Sequence, residues 1–208
     1  MKIYCANVSV LWKRRLIVLY KEIFRKSIHL CSAFVPLLAN FYRKTTIGLL
    51  ALAAVLYTVC QFLSLRGIKV PLVSDITDIA ARERDRGKFV LGPLTLVLGI
   101  MASLLLWNAQ AAAAGILALA FGDGLASLAG KLAGNLHIPR SGGKTCAGSL
   151  MCLTAIFVSS FCVLGNAKAA LVLALCGMFV EVLPLKDFDN LLIPVLLGGL
   201  AQFMQSAA

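Results

Sequence analysis

The sequence predicts an all-α integral membrane protein: a bundle of about seven transmembrane helices with an N-terminal amphipathic interfacial helix. Three observations carry that expectation. Apolar residues make up 60% of the 208 residues and charged residues only 14%, against roughly 45–50% and about 25% in soluble domains. With a mean hydropathy of +0.90, the chain holds more apolar surface than one soluble core of this length can hide. The apolar residues gather into runs near membrane-spanning length, and the basic residues fall between alternate runs.

Residues 9–26 mix apolar and basic positions, and Leu16, Tyr20, Ile23 and Phe24 recur at helical spacing. This pattern suits a helix lying on the membrane surface. The segment 1–27 is therefore expected to be a basic interfacial helix and 28–208 the transmembrane domain. The first residues do not read as a secretory signal, because Lys2, Lys13, Arg14 and Arg15 flank no sufficiently long apolar run and no small-residue cleavage site follows.

Apolar segments follow at about 28–42, 46–65, 89–107, 109–130, 148–164, 169–185 and 191–205. A spanning helix takes about 17–25 residues. The second to fourth segments fit that length, while the first and last are short. The fourth is rich in Ala and Gly and should pack tightly inside the bundle.

With the N-terminus in the cytoplasm, 17 of the 20 Lys and Arg fall on the cytoplasmic side, leaving Arg43, Lys44 and Lys168 outside. The net charge of +11 then reads as basic cytoplasmic loops rather than as a nucleic-acid footprint. All nine acids also lie in cytoplasmic segments or near the cytoplasmic ends of helices, so any chemistry should face the cytoplasm. The seven cysteines include no pair with CxxC spacing, which argues against a metal site or disulfide framework.

The richest stretch is FGDGLASLAGKLAGNLHIPRSGGKTCAGSL, residues 121–150. Asp123 sits in an otherwise apolar helix, where an ionisable group costs about 2.5–3.5 kcal/mol on insertion scales and reads as functional by default. The loop Ser141-Gly142-Gly143-Lys144-Thr145 then leads into Gly148-Ser149 and the next helix. Small residues, a Lys and a helix start suit a phosphate. The loop is not a Walker A motif, which would need a Gly where Ile138 stands. Upstream, Glu22, Lys26 and His29 share one helical face beside Arg25, whether as a site or as a simple Glu22–Lys26 pair. Asp75, Asp78, Arg82, Glu83, Arg84, Asp85 and Arg86 form a mixed-sign run typical of a solvated helix.

The pattern of Asp123, Ala126, Ser127, Gly130, Lys131, Gly134, Pro139, Lys144, Thr145, Gly148 and Ser149 resembles the CTP-dependent lipid-alcohol kinases: dolichol kinase, phytol kinase and the yeast-type diacylglycerol kinase. Glu22, Arg25, Lys26 and His29 resemble that family's early E-x-x-R-K-x-x-H element. Glu181, Pro184 and Asp189-Asn190-Leu191 before Ile193-Pro194 resemble its late acidic element. The resemblance thus covers residues from about 22 to 194. Where the family often shows two adjacent acids before the Asn, this chain has Phe188 before Asp189, with Asp187 one further back.

The resemblance implies phosphorylation of a lipid alcohol (polyprenol, phytol or diacylglycerol type) with CTP and Mg²⁺ in a bilayer. Catalysis would fall to Asp123, Lys144 and Asp189. The nucleotide would be bound by Lys131, Ser141, Gly142, Gly143, Lys144, Thr145 and Gly148, and Mg²⁺ by Asp123, Asp189 and Asn190. Glu22, Arg25, Lys26, His29 and Glu181 are further site candidates, and Arg82 and Glu83 more distant ones. Two other readings stay open. A phosphatidate cytidylyltransferase shares part of the pattern but carries a longer late basic and acidic signature. An ion-coupled transporter would use Asp123 and Glu181 as its ion site.

Overall fold

The computed structural model describes residues 19–68, 70–71, 73–81, 85 and 87–207. Residues 9–18 of the expected interfacial helix, and Arg82 and Glu83, lie outside them. The described chain forms α1 (Leu19–Leu65), the short α2 (Val73–Ala80), α3 (Gly92–Leu106), α4 (Ala109–Ala133), α5 (Cys146–Leu164), α6 (Ala167–Val182) and α7 (Asp189–Ser206). There is no strand among the described residues, only an isolated bridge between His137 and Thr145. Helices α1, α4 and α5 are long and apolar enough to cross a membrane. With the hydropathy of the whole chain, they make this a membrane protein.

The expected count of seven needs correction. The described residues hold six helical stretches of ten residues or more, because the segments expected at 28–42 and 46–65 run together as α1, divided only at the non-helical Tyr42. The described end of the interfacial segment also runs into α1 without a break, so it is not a separate element.

A straight helix of the 47 residues of α1 would reach about 70 Å, more than twice the hydrocarbon thickness. Instead it bends where Tyr42 leaves helical dihedrals (φ −134°, ψ 57°). The two arms, 19–41 and 43–65, double back side by side: Lys21 and Gln61 line one cavity. Tyr57 Oη donates to the Val90 carbonyl at 2.8 Å, and Val90 lines a pocket with Lys26. At the bend, the Arg43 guanidinium donates to the carbonyls of Leu104 and Trp107 and so satisfies the end of α3. No Gly or Pro marks this reversal; in the sequence it shows as the Arg43-Lys44 pair that interrupts the apolar run between 42 and 46.

Helix α4 is the centre of the bundle. Ala111, Ala112, Ala114, Ile116, Ala118 and Leu119 are wholly buried, as expected for a small-residue helix that lets its neighbours approach. Helix α7 packs across it and is tied to α3 by side chains. Ser103 Oγ donates to the Pro194 carbonyl at 3.1 Å, and Trp107 Nε1 to the Val195 carbonyl at 2.9 Å. At the bend end, Asn108 N donates to Gln202 Oε1 (2.8 Å), Asn108 Nδ2 to Gln205 Oε1 (2.9 Å), and Gln205 Nε2 to Gln110 Oε1 (3.1 Å). These amides fasten one end of the bundle, and the ionised residues described below gather at the other.

Candidate functional site: a charged cleft at one end of the bundle

Asp123 closes a π-helical turn, Ala118–Asp123, inside α4. Such turns insert a residue into the helical register and often occur at functional sites. The buried Asp123 carboxylate receives the Lys26 ammonium on Oδ2, and His29 Nδ1 lies 3.2 Å from the same oxygen. One turn along, Glu22 takes Arg25 at 2.5 Å, the Ser127 hydroxyl, and Lys131 Nζ at 2.6 Å. The simple Glu22–Lys26 pair allowed by their spacing is not formed: Lys26 crosses to α4 instead. Two buried or half-buried ionic groups therefore clamp the first arm of α1 to α4.

A second cluster faces the first. Lys144 Nζ is 2.9 Å from Glu181 Oε1 on α6 and 3.9 Å from Asp189 Oδ2 at the start of α7. Ser149 Oγ donates to Glu181 Oε2 at 3.3 Å. Asn190 is held by α3, its Nδ2 reaching the Gly92 carbonyl (3.3 Å) and Thr95 Oγ1 (3.4 Å).

The loop that presents Lys144 is built by its own hydrogen bonds. Ile138 N donates to the Lys144 carbonyl at 2.8 Å, Ser141 Oγ to the Ile138 carbonyl at 2.7 Å, and Lys144 N to Ser141 Oγ at 3.1 Å. Gly142 (φ 72°) and Gly143 (φ 95°) take the left-handed conformations that close so tight a turn. At the α5 N-terminus, where the sequence suggests an anion, three of the first backbone amides already have partners. Cys146 N donates to the Leu136 carbonyl, Gly148 N to Thr145 Oγ1, and Ser149 N to the Thr145 carbonyl. Thr145 is the N-cap, and Gly148 lets α5 approach Ala126 closely. Ser141 likewise holds the loop's shape.

A cleft of about 760 Å³ joins the two clusters. Glu22, Arg25, Lys26, Asp123, Lys131, Ser141, Gly142, Gly143, Lys144, Thr145, Gly148, Glu181 and Asp189 all line it. His29 and Asn190 instead line a smaller adjoining pocket that shares Arg25, Lys26, Asp123 and Asp189 with the cleft. His137 and Lys186, which belong to no motif in the sequence, also line the cleft, beside Pro184 of the late element. Lys186 stands at φ 59°, in a turn that its neighbours in sequence do not announce.

For a divalent cation, no group of three or more His, Cys, Asp or Glu side chains is assembled among the described residues. Two carboxylates, Asp123 and Asp189, do face one cavity, and Mg²⁺ is commonly held by one or two carboxylates together with substrate phosphates. The donor set fits a cation that arrives with its phosphates rather than a resident metal. Five cationic side chains (Arg25, Lys26, Lys131, Lys144 and Lys186) border the same space, so an oligophosphate finds both positive charge and a cation seat.

No family model matches the chain, and no solved structure matches it. An uncharacterised protein of Methanocaldococcus jannaschii is 28% identical over 183 residues, 86% of this chain and 91% of that protein. The chloroplastic farnesol kinase of Arabidopsis thaliana is 30% identical over 140 residues, 60% of this chain. The matched region spans 46% of that kinase, just under half its length. The chain is thus a membrane protein similar, over more than half its length, to a kinase of a lipid alcohol.

Proposed function

We propose that this protein transfers the γ-phosphoryl group of CTP to the primary hydroxyl of a membrane-dissolved lipid alcohol, with the cleft facing the cytoplasm. The observation that carries the reading is the meeting, in one cleft, of the Lys144 loop and Lys131 with the carboxylates of Asp123 and Asp189. Phosphoryl transfer asks mainly for positioning and charge neutralisation, and that is what these residues offer. The similarity to a farnesol kinase supports the reaction class, and the choice of CTP follows the sequence resemblance.

In this mechanism Lys144, released from Glu181 and Asp189, pairs with the phosphates, and Lys131 and Arg25 hold the outer oxygens. Asp123 and Asp189 would hold Mg²⁺, which supplies charge neutralisation between the phosphates. The alcohol oxygen bonds to the γ-phosphorus. The bond from that phosphorus to the bridging oxygen breaks, its electron pair leaves with CDP, and the hydroxyl proton passes to Asp189. Asp189 suits that role, through the oxygen it does not give to the cation, because it is the less heavily paired acid: Lys144 stands 3.9 Å away, whereas Asp123 Oδ2 faces both Lys26 and His29.

The test is an assay of the detergent-purified protein with radiolabelled nucleotides and a panel of lipid alcohols. Lipid phosphate and CDP are the expected products, with activity lost on chelating Mg²⁺ and restored by adding it back. Release of pyrophosphate with a cytidylylated lipid would replace this reading by cytidylyl transfer.

A further inference from the structure

At the cleft end of the bundle lies a second polar cavity, of about 440 Å³, that phosphoryl transfer does not use. Asp85 and Val90 line both this cavity and the small pocket that adjoins the cleft. Its walls come from four stretches of chain: Lys21 from the first arm of α1, Gln61 from the second, Ser74 and Thr77 from α2, and Asp85 and Lys88 from the segment before α3. Lys21 and Lys88 form no ion pair with any described residue, and two ammonium groups on one cavity repel each other. Asp85 is already engaged by other groups. Gln61 is 4% exposed; its Oε1 accepts from Val90 N at 3.4 Å, while its Nε2 donates to no described residue. A buried carboxamide with idle N–H groups costs stability unless a ligand accepts from them. Two unpaired cations and an idle donor together make a seat for an anion.

The surroundings of the cavity identify the source of that anion. Leu52, Val55, Val59 and Phe62 are exposed at helical spacing along the second arm of α1, and the stripe leads to Leu65, which lines the cavity. The geometry points to a site for the phosphate-bearing headgroup of an anionic membrane lipid. Lys21, Lys88 and Gln61 Nε2 take its phosphate, and its chains run along the α1 stripe. Basic residues at a membrane surface attract such lipids. A zwitterionic headgroup would bring its own ammonium toward the two lysines and is disfavoured. The bound phosphate relieves the repulsion between Lys21 and Lys88 and ties both arms of α1, α2 and the segment before α3 together. Neither the nucleotide nor an acceptor enters this inference, so it stands apart from the kinase reading.

The experiment follows the melting temperature of the full-length protein in an uncharged detergent, at fixed ionic strength and without nucleotide. Dioleoyl phosphatidylglycerol, dioleoyl phosphatidylcholine and inorganic phosphate are titrated in separate arms. Phosphatidylglycerol is expected to raise the melting temperature saturably, by about 5 °C. Phosphatidylcholine, and inorganic phosphate at the same concentration, should leave it unchanged. Lys21→Gln and Lys88→Gln, at half-buried and exposed positions, should each weaken the phosphatidylglycerol midpoint about fivefold. Gln61→Glu keeps an oxygen for Val90 N but turns the idle donor into a carboxylate, and should abolish the shift. Lys168→Gln removes a lysine outside the cavity and should shift as the parent does.

Equal stabilisation by the two lipids overturns the site, because charge then plays no part. So does a parental midpoint in Lys21→Gln, Lys88→Gln and Gln61→Glu, or an equal loss in Lys168→Gln. Inorganic phosphate as effective as phosphatidylglycerol at equal concentration overturns the lipid as the source of the anion.

Discussion

Lys144 and Lys26 occupy opposite walls of the cleft, each already resting on a carboxylate, but they differ in what their removal exposes. Lys144 is about a quarter exposed and shares Glu181 with the Ser149 hydroxyl. Lys144→Ala is therefore expected to leave the fold intact and to weaken CTP binding about tenfold to a hundredfold, the loss of one charge-assisted hydrogen bond of about 1.5–3 kcal/mol. Direct measurement of nucleotide affinity decides this, and an unchanged affinity removes Lys144 from the binding role. Lys26 and Asp123 are both buried. Lys26→Ala strands a carboxylate inside the bundle, a change that costs about 3–5 kcal/mol when a buried pair loses one partner. The detergent melting temperature should fall sharply, and the double variant Lys26→Ala/Asp123→Asn should recover most of it, because no buried charge is then left alone. A single variant that melts with the parent would mean that the pair does not support the fold.

At the scale of the helices, the acid in an apolar stretch and the glycines around it are readable one residue at a time, and Asp123, Lys131 and Gly148 do line one cleft. The local spacing of Glu22, Arg25, Lys26 and His29 also marks them as a unit. What such spacing does not reveal is the partner across the bundle. Lys26 has Glu22 one turn away, yet the ammonium is drawn to the more deeply buried acid on α4, and Glu22 is left to Arg25, Ser127 and Lys131. The π turn ending at Asp123 has no local signature in the sequence, whereas the reversal at Tyr42 is legible as the basic Arg43-Lys44 break between two apolar runs. The glycine at 148 is a close-approach residue: a Cβ there would stand 2.8 Å from the Ala126 carbonyl oxygen. Gly148→Ala should thus push α5 from α4, lower the melting temperature and displace the Lys144 loop that precedes α5. Gly48, whose Cβ would meet nothing within 4 Å, provides the control. Gly48→Ala should melt at or slightly above the parent, since alanine is the better helix former. Equal melting of the two variants would remove the packing role of Gly148.

Across the whole molecule, charge and polarity divide the bundle into two unlike ends. One end carries the ionic cleft. The other carries the amide ladder of Asn108, Gln110, Gln202 and Gln205 and the bend at Tyr42, with Arg43 committed to the carbonyls that finish α3. Because α1 doubles back at Tyr42, Lys44 lies at the far end from Lys26. Lys168, beside the Asn166 cap of α6, follows the turn near Val163, whose carbonyl accepts from Gln110 at that same far end. Leu136 is 73% exposed in the loop that leads to Lys144, at the cleft end. The proposed cytoplasmic cleft, which follows the charge bias of the sequence, sets the orientation to be tested. In a cysteine-free background expressed in cells, Lys44→Cys and Lys168→Cys should therefore react with a membrane-impermeant maleimide applied outside, while Leu136→Cys should react only after permeabilisation. The paired positions make the result decisive about orientation: labelling of Leu136→Cys from outside, with Lys44→Cys and Lys168→Cys protected, would put the cleft on the wrong face for cytoplasmic CTP. Labelling of Lys44→Cys and Leu136→Cys from the same side would instead contradict the reversal at Tyr42, because a helix that did not double back could not hold Lys21 and Gln61 in one cavity.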